Sequence, residues 1–403
     1  MLEYLFLALI GCGLGVVTGI IPGLHVNTVA IMGFGTYVSL GLNDLGFVVI
    51  LISLSITHAF LDYLPAIFLG APQEETALSV LPAHRLFMQG RALEAVKLTA
   101  TGSLLGLALG LALFIPALYV IPWLYNASRG VISYVLIILV LLLLFHERVK
   151  KKILWAFIIF LLSGWLGVIA LDKQEILSSG EILFPVFVGL FGMSNLLDSL
   201  KSRVQSVPQD EYVRVDLEPK FIGSGFIGAL SGAIIGVLPA ISPSQMGALI
   251  SERFVMDSRN FLVFLSAINT SDAIYSLLAI YTIKNPRSGV AVIVQKVLDI
   301  DYNTVLLLLG VMAFSAFFAT IAHIWIGKRM SGLVSLIDYR KLCLASLMLI
   351  LLLVYLFTGV FGLMVAILST ILGLLPILSG TSRTHLMGVL LVPTILFFLG
   401  VQL

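Results

Sequence analysis

The sequence predicts an all-α polytopic membrane protein made of two inverted-topology repeats with broken or re-entrant helices. Of its 403 residues, 60% are hydrophobic and only 11% are charged, whereas soluble domains carry about 25% charged residues. Apolar runs long enough to span a bilayer, which takes roughly 20 residues, recur from end to end. They leave no room for a sizeable soluble domain, and the scattered basic residues do not form a nucleic-acid surface.

One pattern of glycines and a proline occurs twice in the chain. The spacing G-x3-G-x3-G-x2-P runs from Gly11 to Pro22 and again from Gly228 to Pro239. Small residues at every fourth position form a helix face that another backbone can approach closely. Later segments also match in order, such as "FPVFVGLFG" and "VPTILFFLG". The pattern therefore predicts two duplicated halves.

The duplication and the basic residues together predict the domain boundaries and the topology. The first transmembrane repeat covers residues 1–200, a hydrophilic cytoplasmic linker covers 201–217, and the second, inverted repeat covers 218–403. Lys and Arg are retained on the cytoplasmic side, and most of the 23 basic residues face inward when both termini are outside. The outward ones are then Arg129, Lys173, Lys284, Arg287 and Lys296. We therefore predict a multi-pass protein of the plasma membrane with both termini outside.

Each half is predicted to begin with a hairpin or an unwound span that is broken at its proline. Pro22 and Gly23 interrupt "GVVTGIIPGLHVNTVA", and Pro239 interrupts "GVLPAISPSQ". Irregular backbone at membrane depth is tolerated where it is buried in protein or lines a wet cavity, and inverted repeats with broken helices are typical of secondary transporters. The helix after each break directs free N–H groups and a positive dipole end toward a ligand. We therefore predict a substrate site at these breaks.

A second break with a proline follows in each half, in "APQEETALSV" and "IKNPRSGVAV". Glu74 is positioned to cap a helix N-terminus, and Lys284 with Arg287 forms a basic pair that attracts an anion. The alternative is that these are interfacial charges that extend to water. The complete set of predicted substrate-binding residues is Pro22, Gly23, His25, Asn27, Thr28, Pro239, Ser242, Ser244, Gln245, Gln73, Glu74 and Arg287.

Polar residues in the next span of each half suggest ion coupling. His58 and Asp62 are four positions apart and share a helix face, and ionisable residues inside a span often handle protons or ions. In the second half, Asn269, Thr270 and Asp272 provide the oxygens that a hard cation such as sodium prefers. Asp272 falls opposite His58 in the repeat. The alternative for both groups is hydrogen bonding that holds helices together.

The sequence offers no enzyme site and no ATP site. Walker A, G-x-S-x-G and H-E-x-x-H patterns are absent, and these are the patterns that carry nucleotide, acyl-transfer and zinc chemistry. Cys12 and Cys343 lie in apolar runs without metal-ligand spacing, which is typical of packing residues. We therefore expect no enzyme activity, no metal site and no cofactor other than sodium or protons as the coupling ion.

The chain resembles the tripartite tricarboxylate transporter permease family. The likeness is closest in "LPAIFLGAPQEETALSVLPAHRLFMQGRALEAVKLTATGSLLG", where "MQGRALEAVKL" matches a family turn. "GIIPGLHVNT" and "GVLPAISPSQ" match the first and second Gly-x-x-Pro breaks of the family, and the likeness covers most of both halves. It implies a permease for a small carboxylate-like anion.

The chain also departs from the family pattern. Pro72, Gln73 and Glu74 stand where the family has Pro-Gly-Glu, and Ala240 replaces the glycine of the second Pro-Gly. With these departures the chain resembles an archaeal-type branch of the family. For that branch, a small membrane subunit and a periplasmic binding protein are not implied.

We expect a secondary active transporter that moves a small organic anion together with sodium or protons. Two alternatives remain: a translocator of a lipid-linked phosphate or other anionic lipid, and a non-transporting membrane scaffold or receptor subunit. The expected partners are the small anionic substrate and the lipid bilayer, with no nucleic acid, and a homo-oligomer is compatible with the sequence.

Overall fold

The computed structural model describes residues 2–21, 26–68, 76, 79–128, 131–145, 147, 149–172, 179–200, 208–210, 212–236, 243–251, 256–286, 288–334 and 339–401. Within these ranges the chain is helical and has no β-strand. Seven of the described helices are long and apolar enough to cross a membrane. The chain is therefore an all-α polytopic membrane protein, as its sequence predicts.

The helices follow one another along the chain with short connections. They are α1 (Leu2–Ile20), α2 (Val26–Thr36), α3 (Asp44–Leu61), α4 (Tyr63–Phe68), α5 (Val80–Met88), α6 (Ala92–Ala112), α7 (Phe114–Ser128), α8 (Ile132–Phe145), α9 (Lys150–Asp172), α10 (Ser179–Phe187), a π-helical segment (Val188–Met193), α11 (Ser194–Ser199), α12 (Pro219–Ile235), α13 (Pro243–Ser251), α14 (Ser258–Ile283), α15 (Gly289–Val297), α16 (Tyr302–Val334), α17 (Tyr339–Ser379), a 3-10 turn (Arg383–Met387) and α18 (Gly388–Phe398).

Helices α3 and α14 lie at the centre of the molecule. About 83% of each of these spans is buried, which is the largest share among the seven, whereas α17 is 28% buried. Apolar side chains such as Met348 and Leu356 cover the outside of α17, as expected for a helix that faces lipid. The central pair corresponds to the two spans whose polar residues suggest ion coupling in the sequence.

The repeated glycines bring a neighbouring helix against each central helix. Helix α1 packs along α3, and α12 packs along α14. A Cβ atom on Gly15 would lie 2.6 Å from the Leu54 carbonyl oxygen, and one on Gly228 would lie 2.7 Å from the Phe264 carbonyl oxygen. Both distances are far shorter than van der Waals contact, so only glycine permits these approaches. The predicted small-residue helix face is therefore confirmed.

The two halves of the chain interlock around the central pair. From the first half, α6 packs against α14, and from the second half, α16 packs against α3. The shorter helices cross in the same way, with α5 against α14, α15 against α3, and α2 against α15. The middle of the molecule is therefore an interface between residues 1–200 and residues 218–403.

The helical hydrogen bonding is interrupted at Asp62, between α3 and α4, and Pro65 explains the interruption. Helix α3 ends at Leu61 and α4 begins at Tyr63, while the backbone N–H of Asp62 still donates to the carbonyl of His58 at 2.9 Å. Proline has no N–H, so the carbonyl four residues earlier, that of Leu61, loses its helical donor, and the proline ring also crowds it. Asp62 consequently lies at a joint between two helical pieces.

The predicted proline breaks fall between separate helices. Helix α1 ends at Ile20 and α2 begins at Val26, and α12 ends at Ile235 and α13 begins at Pro243. Pro22 and Pro239 themselves lie outside the described residues. A helix therefore starts shortly after each predicted break.

An ion-pair network joins the two halves at the start of α6. The buried carboxylate of Glu94 lies 2.7 Å from Arg91 Nε and 2.8 Å from Arg259 Nε. Arg259 Nη1 also lies 3.2 Å from Glu218 Oε1. Because Glu94 belongs to the first half and Arg259 to the second, the network fastens one half to the other.

The described part of the linker lies against the turn between α5 and α6. Gln209 Oε1 accepts from the N–H of Ala92 at 3.1 Å, and Gln209 Nε2 donates to the carbonyl of Phe87 at 3.0 Å. The N–H of Asp210 donates to the carbonyl of Gly90 at 2.8 Å. These bonds fix the linker to the first half.

Candidate functional site

A cavity of about 110 Å³ lies between α2, α3, α14 and α15, where the two halves meet. One water molecule needs about 10–15 Å³ of such space, so the cavity has room for several. Its polar lining residues are Asn27, Ser55, His58, Asp62, Asn269, Asp272, Ser276 and Ser288. Apolar side chains complete the wall, among them Ile56 and Met312.

His58 is held from behind by Thr18 of α1. His58 Nδ1 lies 3.0 Å from Thr18 Oγ1, and the Thr18 hydroxyl donates to the carbonyl of Gly15 at 3.2 Å. The tautomer with Nδ1–H satisfies both contacts, because the Thr18 oxygen then accepts from the imidazole while the hydroxyl donates to Gly15. The glycine of the repeated pattern thus also supports the orientation of a cavity-lining histidine.

Asn269 connects α14 to the joint between α3 and α4. Its Nδ2 donates to the carbonyl of Ala59 at 3.3 Å and to Asp62 Oδ2 at 3.4 Å. The side chain of Asp62 is almost fully buried. A buried carboxylate requires hydrogen bonds or a cation to offset its loss of hydration, and the amide of Asn269 supplies one of these.

The N-terminus of α15 meets the first turn of α2 at the cavity. Asn27 Oδ1 accepts from the N–H of Val290 at 3.1 Å, and Ser288 Oγ accepts from the N–H of Ala291 at 3.1 Å. Gly289 permits this approach, because a Cβ atom there would lie 2.6 Å from Asn27 Cγ. Two N–H groups that the helix itself cannot satisfy are thus bonded by side-chain oxygens.

The cavity wall is acidic. Asp62 and Asp272 line it, and no Lys or Arg is among the described lining residues. Two carboxylates that line one small cavity repel each other when both are ionised, and a cation or a proton between them lowers that energy. Oxygens of carboxylates, amides and hydroxyls are also the ligands of hard cations. The arrangement is therefore suited to holding a cation or a proton.

The structure brings five of the predicted site residues to this one cavity: Asn27, His58, Asp62, Asn269 and Asp272. They belong to two predicted sites, since Asn27 is predicted to bind substrate and the other four residues are predicted to couple the ion. The cavity is therefore shared between the two predicted sites.

Other predicted residues lie elsewhere. The hydroxyl of Thr270 donates to the carbonyl of Ser266 at 3.2 Å within α14, and Thr270 does not line the cavity. Ser244 is buried in the first turn of α13, and it does not line the cavity either. Thr28 and Gln245 begin α2 and α13 with side chains outside the described part. The remaining predicted residues lie outside the described residues altogether: Pro22, Gly23, His25, Pro239, Ser242, Gln73, Glu74 and Arg287.

Three serines of the cavity are absent from the sequence prediction. Ser55 and Ser276 are equivalent to Asn269 and Asp62 in the repeat, 214 positions away in each case. Ser288 precedes a helix that begins at Gly289, and serine is a preferred residue at that capping position. Comparison of the two halves position by position is the signal that would have found the first two.

The family comparison agrees with this architecture. The family model described as the Tripartite tricarboxylate transporter TctA family matches residues 5–388. The chain belongs to this family. The TctA family comprises permease components of tripartite tricarboxylate transporters, so the predicted family resemblance is confirmed and a transporter role follows. An uncharacterized protein of Methanocaldococcus jannaschii, MJ1079, is 30% identical over 409 residues and covers 99% of this chain and 100% of its own. No solved structure matches this TctA-family chain.

Proposed function

We propose that this TctA-family chain is a secondary active transporter that moves a small, carboxylate-like organic anion together with a sodium ion or a proton. The observation that carries the proposal is the inter-half cavity, in which Asp62 and Asp272 face the N-terminal turns of α2 and α15. The carboxylates suit the coupling cation, and the helix N-termini suit an anion.

The charge of the cavity explains why transport of the anion is coupled. Asp62 and Asp272 oppose the approach of a negatively charged substrate, and no basic side chain among the described lining residues offsets them. A cation bound at the carboxylates removes this repulsion and attracts the anion. Each ligand then raises the affinity for the other, which is the thermodynamic condition for symport.

We also propose that the two halves are inverted repeats. Six residues of the span that contains α3 line the cavity, and so do six of α14. Four from each side form pairs that are 214 positions apart: Ser55 and Asn269, His58 and Asp272, Ala59 and Ala273, and Asp62 and Ser276. Because one face of a helix presents positions i, i+3, i+4 and i+7, this agreement means that the two helices turn corresponding faces to the cavity. Binding at the interface of two repeats is typical of secondary transporters.

The contact between Asn269 and Asp62 supports the inversion. In the repeat, Asn269 corresponds to Ser55, so this bond joins positions seven residues apart along equivalent helices. Two antiparallel helices that cross near His58 and Asp272 produce such a contact. The equivalent positions are Ser55 and Ser276, which both line the cavity, although no hydrogen bond joins Ser276 Oγ to Ser55.

The boundaries and orientation predicted from the sequence belong to the same proposal. The first repeat is residues 1–200, the linker 201–217 lies in the cytoplasm, and the second repeat is 218–403. Both termini are outside the plasma membrane. The excess of Lys and Arg in the loops assigned to the inside supports this orientation.

The proposal is tested with the purified full-length chain. In detergent, citrate, succinate and acetate are screened for thermal stabilisation in sodium chloride and in choline chloride, because a ligand that binds the folded state raises its stability. In proteoliposomes, a carboxylate that stabilises the chain is then tested for counterflow. We expect carboxylate binding that depends on the cation, followed by counterflow.

Two results would replace the proposal by its alternatives. Stabilisation by a polyprenyl phosphate but by no soluble carboxylate indicates a translocator of an anionic lipid. Binding of a carboxylate without counterflow, in vesicles where the chain is inserted and folded, indicates a scaffold or receptor subunit.

A further inference from the structure

The N-terminus of α15 already holds an oxygen in the position where an anion would bind. Helix α15 has nine residues, and Val290 and Ala291 of its first turn line the cavity. The N–H of Val290 is bonded to Asn27 Oδ1 at 3.1 Å. An amide oxygen is a neutral analogue of a carboxylate oxygen, and the positive end of a helix favours the charged one.

A second donor in the same cavity has no use in the described structure. Ser276 lines the cavity and is 6% exposed, and its Oγ has no hydrogen-bond partner among the described residues. A buried hydroxyl that lacks a partner costs free energy unless a ligand or water bonds to it. Ser276 therefore points independently to an occupant of the cavity that carries an acceptor oxygen.

We infer that a carboxylate group of the cargo binds at the N-terminus of α15, where it displaces Asn27 Oδ1 from the N–H of Val290 and accepts a second hydrogen bond from Ser276. Asn27 occupies the subsite when no cargo is bound. This inference rests on the proposed function, because it names the subsite at which the proposed anion is held.

The displacement links binding to movement. Asn27 belongs to α2 in the first half and Val290 to α15 in the second, so their bond ties the two halves together beside the cavity. A carboxylate that takes the N–H of Val290 leaves the contact between α2 and α15 without this bond. Cargo binding thus releases one connection between elements that must separate if the site is to change the side from which it is reached.

Substitutions of Asn27 test the inference directly. Asn27→Asp places a permanently attached carboxylate at the N-terminus of α15, and Asn27→Ala removes the competing oxygen. The control is Asn43→Asp, because Asn43 Oδ1 caps α3 through the N–H of Gly46 in the same way at 2.6 Å, away from the cavity. Ser276→Ala removes the second donor without changing the charge.

Thermal shift of the full-length variants with citrate, succinate and acetate gives distinct expectations. Asn27→Ala binds the carboxylate about fivefold more tightly, because it no longer gives up a capping bond of about 1 kcal/mol. Ser276→Ala binds about tenfold more weakly. In sodium chloride and without a carboxylate, Asn27→Asp is more stable than the wild type. It loses this advantage in choline chloride, where no sodium offsets Asp62 and Asp272, and it is not stabilised by carboxylates. Asn43→Asp binds carboxylates as the wild type does.

The outcomes separate this inference from the proposed function. If the wild type binds a carboxylate and Asn27→Asp binds it equally well, the subsite assignment is wrong while anion transport stands. If Asn27→Asp is less stable than the wild type in sodium chloride, the attached carboxylate does not fit the helix N-terminus, and the assignment is also wrong. Asn27→Asp retains a capping oxygen, so it decides the question even if Asn27→Ala does not fold. If the wild type binds no carboxylate at all, the proposed function itself fails.

Discussion

Asn269 Nδ2 lies 3.4 Å from Asp62 Oδ2, so an amide from the second half of the chain contacts a buried carboxylate of the first. The contact is made in the most buried part of the molecule, between α14 and the joint of α3 with α4. Polar groups in such a position cost free energy unless they bind each other or a ligand. Substitutions at this contact, and in the packing that holds it, are therefore expected to change ion coupling and stability separately.

Removal of the charge of Asp272 is expected to weaken cation dependence and to leave folding largely intact. Asparagine keeps the size of the side chain and one acceptor oxygen, but it does not attract a cation. For Asp272→Asn we expect the cation concentration that gives half-maximal uptake to rise about tenfold, as for the loss of a charged ligand contact. Uptake in proteoliposomes against cation concentration measures this.

The matched control for that experiment is Asp257→Asn. Asp257 lies just before the same helix and caps it through the N–H of Asn260 at 2.8 Å, outside the cavity. Asparagine is an equally good capping residue, so cation dependence stays as in the wild type. An Asp272→Asn protein with the cation dependence of Asp257→Asn would remove Asp272 from the mechanism.

Replacement of His58 by glutamine is expected to shift the pH dependence of uptake if protons are the coupling ion. An imidazole is the side chain that titrates near neutrality, whereas glutamine does not titrate, although it can still bond to Thr18. His385→Gln is the control, because His385 is also buried but pairs with Glu147 at 3.3 Å away from the cavity. Rates of uptake over a pH series test this expectation. Identical pH profiles for His58→Gln and His385→Gln would argue against a proton role for His58.

The substitution Gly15→Ala is expected to destabilise the protein by about 1–3 kcal/mol, the range for overpacked sites. The added Cβ would lie 2.6 Å from both the Leu54 carbonyl oxygen and Thr57 Cβ. At Gly13, two positions away on α1, an added Cβ would meet no other atom within 4 Å among the described residues. Gly13→Ala is therefore expected to be neutral or stabilising by up to about 1 kcal/mol. Thermal unfolding in detergent compares the two, and equal stabilities would contradict the packing argument.

Loss of the Glu94 charge is expected to lower stability by about 1–2 kcal/mol, because Glu94→Gln leaves the half-exposed Arg91 and Arg259 without their shared, buried counter-charge. The exposed pair of Arg214 and Asp216 serves as the comparison. Solvated pairs contribute at most about 1 kcal/mol, so Asp216→Asn has little effect. Thermal unfolding of both variants tests the difference, and a Glu94→Gln protein as stable as Asp216→Asn would mean that the network does not hold the halves together.

The topology predicts which single cysteines react from outside the cell. Asn43 and Asp210 both reach solvent, and the proposed orientation puts residue 43 outside and residue 210 inside. The two native cysteines, Cys12 and Cys343, are buried. A membrane-impermeant maleimide should label Asn43→Cys in intact cells and label Asp210→Cys only after lysis. The opposite pattern would reverse the orientation.

The spans could be predicted from the sequence because hydrophobic length is a local signal. The close approach of another helix to the glycine face of α1 could be predicted from the glycine spacing, and the duplication of the two halves stays a prediction. The polar residues His58, Asp62, Asn269 and Asp272 could be predicted as a site because ionisable groups in an apolar span are costly.

The remaining features depend on which helices cross. No local pattern tells that Asn27 reaches the N-terminus of α15, since 263 positions separate Asn27 from Val290. Ser276 is similar, because a serine in an apolar span is common and its role depends on the cavity that other helices complete. The ion pair of Glu94 with Arg259 also joins residues that are distant in sequence.

The interruption at Asp62 has a mechanical consequence for the proposed coupling site. Because Pro65 has no N–H, α4 can tilt relative to α3 without breaking a helical hydrogen bond to the carbonyl of Leu61. The helical hydrogen bonding is thus already interrupted at this point. A change in the angle between α3 and α4 therefore costs less free energy there than a bend elsewhere along α3. Any such tilt moves the carboxylate of Asp62 relative to Asn269, so the strength of the coupling site and the angle of this joint vary together.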